Sequence, residues 1–288
     1  MSAYHLAILL LVFGNFTASL SDVAVKLLDG EVPTFQYVLL RQLFSLALIF
    51  PLWFRQQPSA RKLYSRGLNV LRAHLILIGS ACMVVAITHL PIATANAVFY
   101  AAPLLMLPLS ILLLKETPSA PKIIASLVGF LGVLVVLRPS EFHWAAVFAL
   151  GTAMTLALFN VTARKLPTQQ TVISTLFWTT LLSLPAASVL AISVWEPLNS
   201  KGLLLILASA SLILAYNGVA VAAYKKAPAG NIAVAENSGL LFVTLFGIVW
   251  FNEVPDWLTV VGIIMIVVPL IPWKNLKLTK RHRIELDK

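Results

Sequence analysis

Apolar stretches dominate this chain, and short polar or proline-bearing segments interrupt them at intervals of about 20 residues, the length a helix needs to cross the hydrocarbon of a bilayer. Ten such stretches can be marked, at 4–26, 33–54, 70–90, 92–114, 121–138, 143–163, 170–194, 202–224, 229–251 and 256–273. The segments between them are short, which suits helices packed as antiparallel neighbours. The predicted class is therefore an all-α membrane protein of ten transmembrane helices. Six tryptophans, at 53, 144, 195, 250, 257 and 273, fall near the ends of these stretches. An indole joins an apolar body to one N–H donor and favours the headgroup region. Trp178 alone lies well inside a stretch. The first stretch has no basic segment before it and no small-residue cleavage site after it, so it reads as a retained span rather than a removable signal.

Composition sharpens this picture. The chain is 59% apolar and 11% charged, with a mean hydropathy of +0.91. A soluble domain carries roughly 25% charged residues. A water-facing surface cannot be built from so few charges, and the solvent must be lipid. The net charge of +10 invites a nucleic-acid reading. The basic residues, however, form short clusters between apolar runs, so the partner is the membrane surface and no nucleic acid is expected. Cys82 is the sole cysteine and sits in an apolar run. It excludes an internal disulfide and reads as packing.

Charge also sets orientation, because Lys and Arg collect on the cytoplasmic side of spans. With both termini cytoplasmic, 17 of the Lys and Arg residues fall inside and 3 (Lys26, Arg138 and Lys201) outside, while Arg41 lies within a span. The tail 274–288 is basic and has no apolar run. It fixes topology or holds anionic headgroups.

The chain also repeats itself. Pro33-Thr34 opens span two, with Pro51 following, and Pro167-Thr168 opens span seven, with Pro185 at the same separation. Pro91, Glu116 and Pro118 recur as Pro228, Glu253 and Pro255, shifted by 137 positions. Each unit holds five spans, an odd number, so the second copy enters from the opposite side. Two inverted five-helix repeats follow, 1–138 and 139–273, ahead of the 274–288 tail. Such repeats form two similar gates around one central site.

On these segments the chain resembles the drug/metabolite transporter superfamily, in its EamA-like branch. The resemblance is carried by Leu114-Lys115-Glu116-Thr117-Pro118, by Gly129-Phe130-Leu131-Gly132-Val133, and by Arg41 in span two. It implies a ten-helix carrier with cytoplasmic termini that moves metabolites, amino acids, vitamins or drugs, often with proton coupling. The second copy departs from the pattern, with Pro269 and a single glycine, Gly262, in its last span, and with Leu240 where the first copy has Pro103.

Ionisable groups inside a membrane are costly, roughly 2.5–3.5 kcal/mol for a central charge, so those present are candidate function. Asp22 and Arg41 sit at similar depth in the outer half and are expected to form an ion pair, structural or functional. Glu236 lies near mid-depth in span nine. A carboxyl group in apolar surroundings favours its protonated form, which suits proton coupling or a permanently protonated hydrogen-bond donor. Asn96 and Tyr100 share one side of span four. With Asn15, Arg41, Phe99, Trp178, Tyr216, Asn217 and Asn237 they form the expected substrate-binding set, suited to a polar, partly aromatic solute such as riboflavin or an aromatic amino acid. A single intramembrane Asn can equally serve helix–helix hydrogen bonding.

A secondary carrier in a bacterial inner membrane, monomeric or weakly dimeric, is the resulting expectation. The alternatives are a lipid-linked substrate flippase and a non-catalytic subunit of a membrane complex. No phosphate-binding loop of the G-x-x-x-x-G-K-[ST] kind, no H-E-x-x-H and no G-x-S-x-G occurs. Neither ATP-driven transport nor catalysis is expected, and no metal or cofactor.

Overall fold

The computed structural model describes residues 3–115, 117–138, 143–167, 169–224, 235 and 238–270. Every regular element among them is helical: α1 (Ala3–Lys26), α2 (Thr34–Phe54), α3 (Arg66–His89), α4 (Ile92–Phe99), α5 (Ala102–Leu114), α6 (Ala120–Leu137), α7 (Ala145–Ala163), α8 (Val172–Ile192), α9 (Ser200–Tyr224), α10 (Ser238–Phe251) and α11 (Trp257–Val267). Eight stretches are long and apolar enough to cross a bilayer, with α4 and α5 together making one of them. α10 and α11 are apolar but shorter.

Two boundaries differ from the hydropathy reading. Span four is two helices rather than one, interrupted at Tyr100 and Ala101. Pro103 has no N–H, and its ring would collide with the carbonyl four residues back, that of Phe99, where α4 ends. Span three begins at Arg66, so Arg72 lies within α3 and is buried rather than sitting at the membrane surface. The first part of span nine lies outside the described residues.

Helix ends follow local chemistry. The Thr171 hydroxyl accepts from Ser174 N (3.1 Å) at the start of α8. The Asp256 carboxylate accepts from Thr259 N (3.0 Å) at the start of α11. Both are N-caps that satisfy donors the helix itself cannot.

The main packing pairs are α1 on α9, α3 on α7, α2 on α8 and α6 on α11, with α3 also against α8 and α2 against α9. Small residues permit the closest approaches. A methyl group on Gly132 would lie 2.8 Å from the Gly262 carbonyl, and one on Gly262 would lie 2.5 Å from Val136. Backbones in lipid gain their attraction from such contact, because apolar burial drives little there. The perimeter is correspondingly apolar and exposed, as at Leu112, Val189, Leu204 and Leu241.

The ends of the bundle differ in charge. One carries Asp29, Glu31, Glu196, Glu253 and Asp256, and here the ends of α1, α3 and α10 meet the start of α4. The other carries Arg55, Arg61, Lys62, Arg164 and Lys165, and the α2–α3 loop there is tied to the start of α8. They are called below the acidic and the basic face.

Candidate functional site: a cavity below a polar plug

A cavity of about 310 Å³ lies inside the bundle, walled by α2, α3, α7, α8 and α9. At 1.5 Å per residue its lining runs from about 10 Å below the acidic face to about 25 Å below it, toward the basic face. Arg41, Ser80 and Thr152 close the shallow end. Ile49, Leu176 and Asn217 lie toward the deep end.

Arg41 is the one charged residue among the described residues lining this space. Its Nη2 donates to Ser80 Oγ at 2.8 Å, and its guanidinium lies 5.9 Å from the Tyr37 ring centroid. Next to it, Gln42 is 3% exposed and its Nε2 is buried without a hydrogen-bond partner among the described residues. A buried polar group left unsatisfied costs about 1–3 kcal/mol, so this amide is held ready for an acceptor. At a second point near the deep end, buried Arg72 stacks on the Phe159 ring at 3.7 Å and donates to the Phe159 carbonyl and, at 3.3 Å, to Thr162 Oγ1.

Above Arg41 the bundle is closed by a polar plug. Asp22 on α1 attracts Arg41 electrostatically. The two charges are not in direct ion-pair contact, because Arg41 turns instead to Ser80 on α3. The Tyr37 hydroxyl and Ser21 Oγ both meet Ser209 Oγ at 2.8 Å, joining α1, α2 and α9. Nearer the acidic face, Lys26 Nζ pairs with Glu253 at 2.5 Å and donates to the Leu90 carbonyl at 2.7 Å. The same Glu253 accepts from Ile92 N at 2.7 Å. One carboxylate thus ties the end of α1 to the start of α4, and Arg138 pairs with Asp256 beside it.

The residues expected to bind substrate do not all converge. Arg41 and Asn217 line the cavity. Asn96 is buried and donates to the Ile92 carbonyl at 3.2 Å within α4. Asn15 is buried and donates to the Ala235 carbonyl (2.9 Å) and to Ser238 Oγ (3.1 Å), binding α1 to the ninth span. Phe99 is core, and Tyr100 packs against Gly239 of α10. Tyr216 packs beside Leu11 and Ala223. The Trp178 indole donates to the Arg61 carbonyl at 2.9 Å and meets Trp53 edge-on, so it anchors the α2–α3 loop at the basic face. Glu236 and Asn237 lie outside the described residues.

Sequence reasoning passed over Gln42, Ser45, Ser80, Thr152 and Thr155, all of which line the cavity. A signal existed. Arg41, Ser45 and Ile49 recur every four residues on α2, and Thr152, Thr155 and Phe159 stand at i, i+3 and i+7 on α7, each set marking one helix face.

Comparison with known proteins completes the site. The model of the EamA-like transporter family matches the chain twice, over residues 5–138 and 143–271. An S-adenosylmethionine uptake transporter of Rickettsia prowazekii is 26% identical, covering 87% of this chain and 86% of its own. A pseudopaline exporter of Pseudomonas aeruginosa is 28% identical over 94% of this chain and 96% of its own. A riboflavin transporter of Vibrio cholerae is 27% identical over 76% of each. One solved crystal structure superposes with a TM-score of 0.59 at 18% identity, covering 95% of this chain and 96% of that one, and shares the fold. The chain belongs to the EamA-like transporter family and is a multi-pass protein of the bacterial inner membrane.

Proposed function

We propose that this protein is a secondary carrier that moves a small polar or aromatic metabolite across the plasma membrane by alternating access. The observation that carries the reading is the cavity itself, enclosed by helices from both halves of the chain and shut toward one face by a polar plug. A solute held there meets a wall on the acidic side, and releasing it on that side requires the Lys26–Glu253 contact to open.

Alternating access needs two halves of opposite sense, and several observations support that. The family model matches two segments of similar length. The packing pairs exchange among themselves when each span is replaced by the one five spans later: the α1–α9 pair becomes α7–α3, α3–α8 becomes α9–α2, and α2–α8 and α6–α11 map onto themselves. Lys115 and Asn252, 137 positions apart, both take a left-handed backbone conformation (φ 56° and 53°) after α5 and α10. That conformation is uncommon for residues other than glycine. In this reading the basic face and both termini are cytoplasmic.

S-adenosylmethionine, pseudopaline and riboflavin, the solutes named for the relatives, form the first panel to test. Purified protein in liposomes should accumulate or release at least one small metabolite down an imposed solute or proton gradient. Absence of movement for a broad metabolite panel, in both directions, rules the carrier reading out. Glu236 is the candidate proton carrier in this scheme. Glu236→Gln should flatten the pH dependence of uptake, and uptake that keeps its full pH dependence removes Glu236 from that role.

A further inference from the structure

Resting on the carrier reading, we propose that the cavity is built for a solute bearing a carboxylate, which docks on Arg41 and Gln42 at its closed end while an uncharged body fills the deeper part. Three features of the cavity support this. The lining holds one cation and no acid among the described residues, so an anion entering it meets attraction and no repulsion. The counter-charge to Arg41, Asp22, does not line the cavity. Arg41 is therefore balanced from behind without being in ion-pair contact, and its fork faces a space where a planar carboxylate can be held by two donors.

Gln42 supplies the second feature. Its side chain is buried, lines the cavity and has no hydrogen-bond partner among the described residues. A half-turn about its last bond presents the carboxamide N–H to the cavity, where a carboxylate oxygen shared with Arg41 would accept it. Hydroxyls of Ser80, Thr152 and Thr155 stand around the same end. Ser80 Oγ accepts from Arg41, so its own O–H can donate to a carboxylate, whereas Thr152 and Thr155 donate theirs to backbone carbonyls of their own helix.

The third feature is the change in character with depth. Below Arg41 the walls are mostly apolar, with Ile49, Leu75, Leu156, Phe159 and Leu176. The volume of about 310 Å³ stands at the small end of the roughly 300–1,000 Å³ spanned by ligand pockets. This suits one carboxylate head on a compact apolar or aromatic body. Arg72, stacked on Phe159 near the deep end, adds positive potential along the way in.

The test uses matched acids and amides and needs no knowledge of the natural solute. In a Cys82→Ser background, Ile213→Cys places a thiol in the cavity wall, and its maleimide labelling rate is followed in purified protein. Benzoate and 3-phenylpropionate at millimolar concentration should slow labelling at least threefold more than benzamide and 3-phenylpropionamide. Arg41→Gln should erase the difference, Arg41→Lys should keep part of it, and Gln42→Leu, which leaves the arginine in place, should weaken acid protection about fivefold. Equal protection by acid and amide, no protection by either, or an unchanged preference in Arg41→Gln overturns the proposal. Liposome uptake measured in parallel separates the two readings. Transport of a neutral solute that Arg41→Gln leaves intact keeps the carrier and sinks the carboxylate site. Acid-selective protection without transport of any solute keeps the site and sinks the carrier.

Discussion

The acidic end of the bundle and its interior use polar groups in opposite ways. At the acidic end a set of polar groups is spent on neighbouring helices. Lys26 holds Glu253 and Leu90, Glu253 holds Ile92, and Ser209 joins Tyr37 to Ser21. About 10 Å deeper, Gln42 has no partner among the described residues and Arg41 faces open volume. Satisfied networks in a low-dielectric setting rigidify, whereas unsatisfied groups await an acceptor. Under the proposed carrier function, the first region is the latch and the second the binding chamber.

The largest effect should come from breaking the latch. Glu253→Ala leaves half-buried Lys26 without its charged partner and Ile92 N without its acceptor, and leaving such a donor unsatisfied costs about 1–3 kcal/mol. Uptake into liposomes should fall by about two orders of magnitude, with a lower unfolding temperature. The exchange of Lys26→Glu with Glu253→Lys should recover only part of the loss, because the lysine cannot accept from Ile92 N. Full activity in Glu253→Ala would mean that this contact does not shape the cycle.

Narrowing the chamber comes next. A methyl group on Gly79 would lie 2.5 Å from Thr155 Oγ1, on the cavity wall. Gly79→Val should therefore lower uptake about tenfold and destabilise the α3–α7 contact by the roughly 1–3 kcal/mol typical of overpacking. Gly67→Ala, in the same helix with nothing within 4 Å of the added atom, should change uptake less than twofold. If the two variants behave alike, the loss in Gly79→Val reflects the helix and not the chamber.

These contrasts also show what the sequence could and could not reveal. Spans were legible because roughly 20 apolar residues are needed in a row whatever the fold. The break in span four was written in Pro103, but proline alone is not decisive: Pro51, Pro108 and Pro185 sit inside α2, α5 and α8 without ending them. Arg41 was legible as an intramembrane charge. Gln42 was not, because a glutamine beside an arginine carries no periodic signal of its own, and its importance lies in the partner it lacks. Trp178 misled for a related reason: it stands inside an apolar run, yet α8 begins only six residues before it, and the Arg61 carbonyl reaches its indole. Glu253 was legible through its repeat with Glu116, but the helix ends that it joins lie far apart in sequence.

The smallest expected effect follows from that point. Trp178→Phe removes one hydrogen bond to the Arg61 carbonyl at the basic face, at about 1 kcal/mol. Stability should drop by that amount while uptake stays within twofold. A selective rise in KM with unchanged stability would instead bring Trp178 into contact with the solute.

Cross-linking the latch tests the central claim most directly. With Cys82→Ser, Leu27→Cys and Val254→Cys in one protein, exposed positions that leave Lys26 and Glu253 in place, a cleavable bis-maleimide of matching length should stop uptake into liposomes, and cleaving the linker should restore it. Uptake that continues at its full rate with the linker in place would mean that solute never passes this end of the bundle, and the alternating-access account would be wrong.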